Sequence, residues 1–377
     1  MALQLNRRQW MKATAAAATW LWVSSEFQAC RREGPQPLIF SEDDLLRLDN
    51  NENPYGVAPQ AREAIVEAIR GSHRYPHRLY SELVKMIAAK EGLAPENIIL
   101  GAGSTEVMNM AIFAYGVKGE VLTSDPTYFD FIFYAKQAGS VIRSVPVDEN
   151  LVIDLEAMAN QIQATTSLIY ICNPNNPTGT IIAGGNLRSF CEEASRQALV
   201  LVDEAYHEYV EDNSYSSMVS LVREGKKILV TRTFSKIFGL AGLRVGYGMA
   251  HPEIIAKLEK VQMNFASIAY PSLRAALAAY TYGEFTRSVK EKNKWVKAYL
   301  EKELDRLGFY RVPSQTNFLL FEVHQESKEV ATALEKQRVL VRPFSFGGRN
   351  WLRVSIGTME EIKSFLAALK RIERHIY

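Results

Sequence analysis

The stretch "KKILVTRTFSKIFGLAGLRVGYG", residues 226–248, begins as a short apolar run and ends in a glycine-rich turn. Consecutive apolar positions suit a strand buried on both faces rather than one with a wet side. Lys236 stands behind that run among Phe234, Ile237 and Phe238, with Arg244 eight residues later. Apolar surroundings favour the neutral amine, the form a nucleophilic lysine needs.

Four further runs have the same form: "NIILGAG", "GEVLTSDP", "SLIYICNP" and "ALVLVDEAY", each short, apolar and bounded by turn residues. Helical spacing lies between or before them, in "APQAREAIVEAIRG" ending at Gly71 and "SELVKMIAAKEG" stopped by Gly92. Short doubly apolar strands alternating with helices predict an α/β fold with a mostly parallel sheet covered on both sides. From "HPEIIAKLEKVQMNFASIAYPSLRAALAAY" onward the pattern turns to long helices. After Asn293, "KWVKAYLEKELDRLG" leads to "FYRVPSQTNFLLFEV" and "NWLRVSIGT", two strands of a smaller α+β unit. The expected plan is a large domain over residues 61–270 and a small C-terminal domain over 271–377.

Composition narrows the function classes. Of 377 residues, 47% are hydrophobic and 23% charged, as in an ordinary globular protein. Lys and Arg number 44 against 42 Asp and Glu, a net +2 with no basic block, which argues against a nucleic-acid partner. The six histidines form no metal-spaced cluster, so no metal is expected. Three cysteines are too few for a disulfide scaffold. Cys172 is expected to end a buried strand and Cys191 to lie on a helix, neither of them catalytic.

The first 34 residues read as an address. "LNRRQWMKATAAAATWLWV", residues 5–23, has a cationic start at Arg7, Arg8 and Lys12, then an uncharged stretch, and "FQAC" closes it at Cys30. Those are the parts of an export signal, and about 11 apolar residues fall short of the roughly 20 that span a bilayer. The R-R-x-W-M-K order resembles a twin-arginine signal, which implies an exported, periplasmic location. Cys30 weakly resembles a lipidation site, and membrane attachment is expected only through it.

In open α/β sheets, ligands gather at the carboxyl ends of the strands. After "NIIL" comes "GAGSTE", whose amides at Gly103, Ser104 and Thr105 would face an anion at a helix N-terminus. After "DP" comes Tyr128, an aromatic able to cover a flat ring. After "SLIYIC" comes "NPNNPTG", a rigid turn that presents an asparagine. After "ALVLV" comes Asp203, a carboxylate whose burial demands a partner or a proton. With Lys236, these are the parts a pyridoxal-phosphate site requires: a lysine for the aldehyde, a carboxylate for the ring nitrogen, and donors for phosphate and O3′.

With "LDNNENPYG", "RYPH", "PTY", "DEAYHEY" and "LRVSIGT", residues 47–358 resemble the class I/II aminotransferases of fold type I, nearest to the histidinol-phosphate aminotransferase branch. The resemblance implies pyridoxal 5'-phosphate as cofactor, an aspartate-aminotransferase-like fold and a ping-pong exchange between an amino donor and a 2-oxo acid. By it, Lys236 is the Schiff-base lysine and proton shuttle, Asp203 holds the ring nitrogen, and Asn176 and Tyr206 bond O3′. Tyr128 stacks on the ring, while Gly103, Ser104, Thr105, Thr233, Ser235 and Arg244 hold the phosphate. Tyr55 reaches the phosphate of the neighbouring subunit in a homodimer, with residues 35–60 at the interface. Arg353 takes the substrate carboxylate, with Arg342 and Asn53 as further substrate residues. Decarboxylation of a threonine-phosphate type or β-elimination would use the same cofactor residues. A non-catalytic exported binding protein would be expected to have lost Lys236 or Asp203. Histidine biosynthesis is cytoplasmic, so an export signal points to a different amino donor.

Overall fold

The computed structural model describes residues 45–263 and 267–374, so the leader, with Arg7, Arg8 and Cys30, lies outside the described residues. After a two-residue strand β1 (Leu46–Arg47), the central sheet takes in β2 (Ile98–Gly101), β3 (Glu120–Asp125), β4 (Val141–Pro146), β5 (Thr166–Cys172), β6 (Leu199–Asp203), β7 (Ile228–Thr233) and β8 (Gly246–Ala250). Its order is β2-β8-β7-β6-β5-β3-β4, with β8 antiparallel to both neighbours and the remaining pairings parallel. Successive side chains leave a strand on opposite faces, and here each face meets its own core. Ile169, Ile171, Val200, Val202 and Val230 join one cluster. Leu168, Tyr170, Leu199, Leu201 and Leu229 join the other. Because both faces are dry, the runs show no polar alternation, which is why they read as continuous apolar segments.

Two strands of this sheet escaped the sequence reading. β4 lies at the edge, half exposed, and carries Arg143 and Ser144 in its middle. β8 is "GYGMA", and glycine is a poor strand former. Tertiary crowding explains it: a Cβ on Gly246 would collide with the Ser104 amide, and one on Gly248 would meet Val107 at 2.7 Å. Gly92, by contrast, caps its helix at φ 62, as predicted.

The C-terminal part builds a second, antiparallel sheet of β9 (Phe318–Val323), β11 (Arg342–Phe346) and β12 (Arg349–Ser355), in the order β11-β12-β9. The short β10 (Val339–Leu340) pairs instead with β1, in parallel, Leu46 opposite Val339. Leu48 then enters the core of this smaller unit beside Phe321, Leu352 and Phe365. The N-terminal segment is thus part of the small unit's packing as well as a path to the site.

The boundary between the two cores falls later than residue 271. Helix Tyr270–Thr281 buries Leu273, Ala275 and Ala276 in the large core, against helix Pro59–Ala68. Helix Gly283–Arg306 is the shared element: Val289 belongs to the large core, while Val296, Leu300 and Leu304 belong to the small one. Between the two stretches the buried face carries Asn293, whose Nδ2 donates to the Thr316 carbonyl at 3.2 Å. Cys172 ends β5 and Cys191 lies in helix Gly184–Ala194, both buried free thiols.

Candidate active site

Strands β2, β3, β5, β6 and β7 run in one direction, so their carboxyl ends share one rim of the sheet. A cavity of about 550 Å³ opens there, lined in part by Ser104, Thr105, Tyr128, Asn176, Asp203, Tyr206, Thr233, Ser235, Lys236 and Arg244. The small unit closes it with Arg342, Phe344 and Arg353, and the N-terminal segment with Asn50, Asn51 and Glu52.

Asp203, the last residue of β6, is 3% exposed. Thr231 donates to Oδ1 at 3.0 Å and Tyr170 to Oδ2 at 3.3 Å. Burial pushes its carboxyl up to about 6, against the pull of those hydroxyls. A buried carboxylate held only by neutral donors is a costly anion, and a protonated ring nitrogen would relieve it. Lys236 donates to the Asn50 carbonyl at 3.0 Å. Its ammonium is brought down to about 8, first by burial and then by the nearby Arg353.

The opposite end of the cavity suits an anion. Gly103, at φ 80, leads into helix Ser104–Ala114, and a Cβ on it would collide with the Arg244 guanidinium. Glycine therefore lets the cation reach the helix N-terminus, where amides and dipole already favour negative charge. Arg244 donates to Ser235 Oγ at 3.2 Å, and Thr233 donates to the same oxygen at 2.9 Å. Arg244 itself takes a left-handed φ of 52, a conformation uncommon outside glycine.

Arg353 is buried and donates to Asn176 Oδ1 and to the Asp49 carbonyl, each at 2.6 Å. Burial lowers it to about 10, and its Nε has no partner. Arg342 stands directly across the strand pair from Arg353. Tyr128 donates to Asp130 at 2.7 Å, and burial raises its phenol well above the usual range.

Two expected residues lie elsewhere. Asn53 does not line the cavity: its Nδ2 donates to the Ile237 carbonyl at 2.9 Å and its Oδ1 accepts from the Tyr55 amide at 3.0 Å. One N–H and the oxygen of that amide are thus turned to backbone. Tyr55 also stays out of its own chain's cavity, with Lys292 Nζ 4.6 Å from its ring centroid. Asn51, Glu52, Asp130 and Phe344 line the cavity without having been singled out. Asn51 sits inside the quoted "LDNNENPYG", but its burial beside Tyr206 comes from the fold rather than the motif.

A nucleophilic amine, an uncompensated carboxylate and an anion cradle on one sheet rim define a pyridoxal-phosphate enzyme of the aminotransferase fold. The family model for aminotransferase class I and II matches residues 43–369, and the chain belongs to that family. A histidinol-phosphate aminotransferase of Moorella thermoacetica is 39% identical over 332 residues, 87% of this chain and 86% of its own length. The solved histidinol-phosphate aminotransferase of Clostridium acetobutylicum is 26% identical at TM-score 0.80, covering 87% of this chain and 99% of that one. That of Sinorhizobium meliloti, solved in complex with pyridoxal-5'-phosphate, shares the fold at 24% identity and TM-score 0.83, covering 91% and 96%. The protein is a transaminase that uses pyridoxal phosphate.

The lowered ammonium of Lys236 makes cofactor capture pH-dependent. The neutral amine is the form that attacks an aldehyde, and its share rises through about pH 8. Stopped-flow absorbance of the cofactor-free protein mixed with pyridoxal phosphate should accelerate up to about pH 8 and level off above it. Between there and the ordinary 10.5 the unfolded chain holds more protons than the folded one. The stability of the cofactor-free protein therefore rises with pH across that window.

Proposed function

We propose that this transaminase takes an amino donor that carries a second anionic group besides the one held by Arg353. The carrying observation is the pair of arginines in register, Arg342 opposite Arg353, both lining one cavity. Arg353 is buried, pre-oriented by Asn176 and Asp49, and suits the group nearest the reacting carbon. Arg342 is exposed toward the cavity and suits the far end of the donor. The relatives are histidinol-phosphate aminotransferases by name, and histidinol phosphate has a single anionic group, its phosphate, so the doubly anionic donor rests on the arginine pair.

In this reading Lys236 carries the cofactor aldehyde and moves the proton at the donor's Cα. Asp203 would keep the ring nitrogen protonated, and Tyr206 and Asn176 would hold O3′. The helix Ser104–Ala114 terminus, Ser235 and Arg244 hold the phosphate. Bound there, the cofactor supplies an electron-withdrawing ring that acidifies the donor's Cα–H. The donor would leave as its oxo product, its amino group staying at the site for the acceptor that follows, so Arg353 would serve both in turn.

An amino-donor screen against 2-oxoglutarate tests the substrate class. Arg342→Ala is expected to raise KM for doubly anionic donors by roughly 10- to 100-fold, the worth of a charge-assisted hydrogen bond. It should leave singly charged donors within about twofold, and an equal loss for both would remove Arg342 from recognition.

Two further parts of the reading concern assembly and place. Tyr55 lies outside its own cavity, which supports a homodimer in which it serves the neighbour's site; a monomer by sedimentation would rule that out. The "LNRRQWMK" start supports export of the folded, loaded enzyme. Residues 1–34 fused to a folded reporter should send it out of the cytoplasm, and changing Arg7 and Arg8 to lysine should block that; export that survives the change would remove the twin-arginine route.

A further inference from the structure

The N-terminal segment crosses the cavity mouth and carries a residue to which the motif reading assigned no role. Asn51 is 1% exposed, lines the cavity and holds a left-handed φ of 55. Its position is over-determined: its carbonyl accepts from Asn317 Nδ2 at 3.0 Å and its backbone amide donates to Ser355 Oγ at 2.8 Å.

That backbone N–H sets the polarity of everything after it. A backbone amide can only donate, so Ser355 Oγ must accept there and keeps its own proton for another partner. The partner is Asn51 Oδ1, 3.2 Å away. With Oδ1 taken by Ser355, the other end of the side-chain amide, Nδ2, points at Tyr206 Oη, 2.9 Å away. An NH₂ group has no acceptor capacity, so the phenol oxygen accepts. Tyr206 is 2% exposed and its ring is pinned edge-on to Phe318, with centroids 5.2 Å apart. Its single proton is then free only toward the cavity.

We propose that Asn51 is a positioning residue that fixes the direction of the Tyr206 hydroxyl, making Tyr206 an obligate donor toward the cofactor's ring oxygen. The inference rests on the reading above that Tyr206 faces O3′. The device joins three parts of the fold: Ser355 ends β12 of the small unit, Asn51 lies on the N-terminal segment, and Tyr206 follows β6 of the large sheet. A serine outside the cavity lining and an asparagine within it thereby decide which way a proton on a third residue points. Motif reading could not reveal this, because the hydrogen bond from Asn51 to Tyr206 spans 155 positions.

Asn51→Asp tests it. Aspartate tolerates the left-handed backbone much as asparagine does and keeps the acceptor for Ser355. It replaces the donor facing Tyr206 by an acceptor, so the phenol proton turns away from the cavity. The ring oxygen of the bound cofactor loses a donor and holds its proton more tightly. The pH at which the cofactor's visible absorbance changes should rise by about one unit, the effect of one hydrogen bond to a charged group. The cofactor dissociation constant should rise about tenfold. Tyr206→Phe should shift the midpoint in the same direction, and the double variant should shift it no further than the larger single effect, because one proton is at stake. A shift in Tyr206→Phe with none in Asn51→Asp overturns the role of Asn51 and leaves that of Tyr206 standing. No shift in either overturns both, since Tyr206 then gives nothing to the ring oxygen. Fully additive shifts also overturn the proposal. If Asn51→Asp does not fold, Asn51→Gly, which accepts the left-handed φ and removes the donor without supplying an acceptor, should shift the midpoint in the same direction by less than Tyr206→Phe does; no shift overturns the role of Asn51.

Discussion

Lys236→Ala should lower turnover by at least about 10⁴-fold and leave the protein without the yellow colour of a covalently held cofactor. Two losses combine. A positioned acid–base group alone contributes about 10²–10⁴-fold, and the covalent anchor that splits the exchange into two easier steps goes as well. The fold should survive, because the wild-type ammonium is itself destabilised: burial and Arg353 bring it down to about 8. Removing it leaves only the Asn50 carbonyl without a donor, at a cavity wall open to water. Absorbance, steady-state kinetics and a thermal melt on one preparation check all three statements. Turnover within about 100-fold of wild type would mean that another base moves the proton.

Asp203→Asn is expected to cost about 3–5 kcal/mol of transition-state stabilisation, the price of breaking a buried ion pair from one side. That is roughly 10²–10⁴-fold in kcat/KM. The asparagine keeps the size of the side chain and can accept from Thr231 through its one oxygen, while its NH₂ faces the Tyr170 hydroxyl, which turns to accept, so packing is preserved while the charge is lost. A ring nitrogen without its anion holds its proton poorly, and the negative charge that develops at the donor's Cα is then spread less well. Lys236 should still take up the cofactor, so the colour should remain while the rate falls. A variant that keeps wild-type kcat/KM would place the electron-sink function on another group. Because the cofactor-free Asp203 is pushed up to about 6, cofactor affinity in the wild type should also weaken as pH falls through that value.

The two variants separate residues that the sequence reading placed together. That Asp203 and Lys236 lie on the cavity rim was legible because each follows a run apolar on both faces, and a charge there has few structural excuses. That Arg353 lies in the same cavity, and which asparagine of "NPNNPTG" joins it, followed only from the family motif; the direct bond of 2.6 Å between Arg353 and Asn176, made across 177 positions, is a product of how the small sheet meets the large one. The place of Asn53 outside the cavity lining was illegible for a related reason. The "NENPYG" segment brings several polar side chains near the cavity, and local sequence does not say which of them turn to backbone. The structure turns Asn53 to Ile237 and Tyr55, and Asn51 to Tyr206.

By itself the sequence determined the α/β class, the parallel core strands and the chemistry at their carboxyl ends. These follow from local rules: doubly buried strands are apolar throughout, turns need glycine, proline or asparagine, and a cofactor lysine needs dry neighbours. Only the tertiary structure decided the place of β8, the shared helix Gly283–Arg306 and the pairing of β1 with β10. It also decided the register that sets Arg342 opposite Arg353 and the hydrogen-bond chain from Ser355 through Asn51 to Tyr206. The reason is the same in each case. The partner that makes the residue necessary lies far along the chain, as when Gly246 is needed because the Ser104 amide occupies the space a side chain would fill.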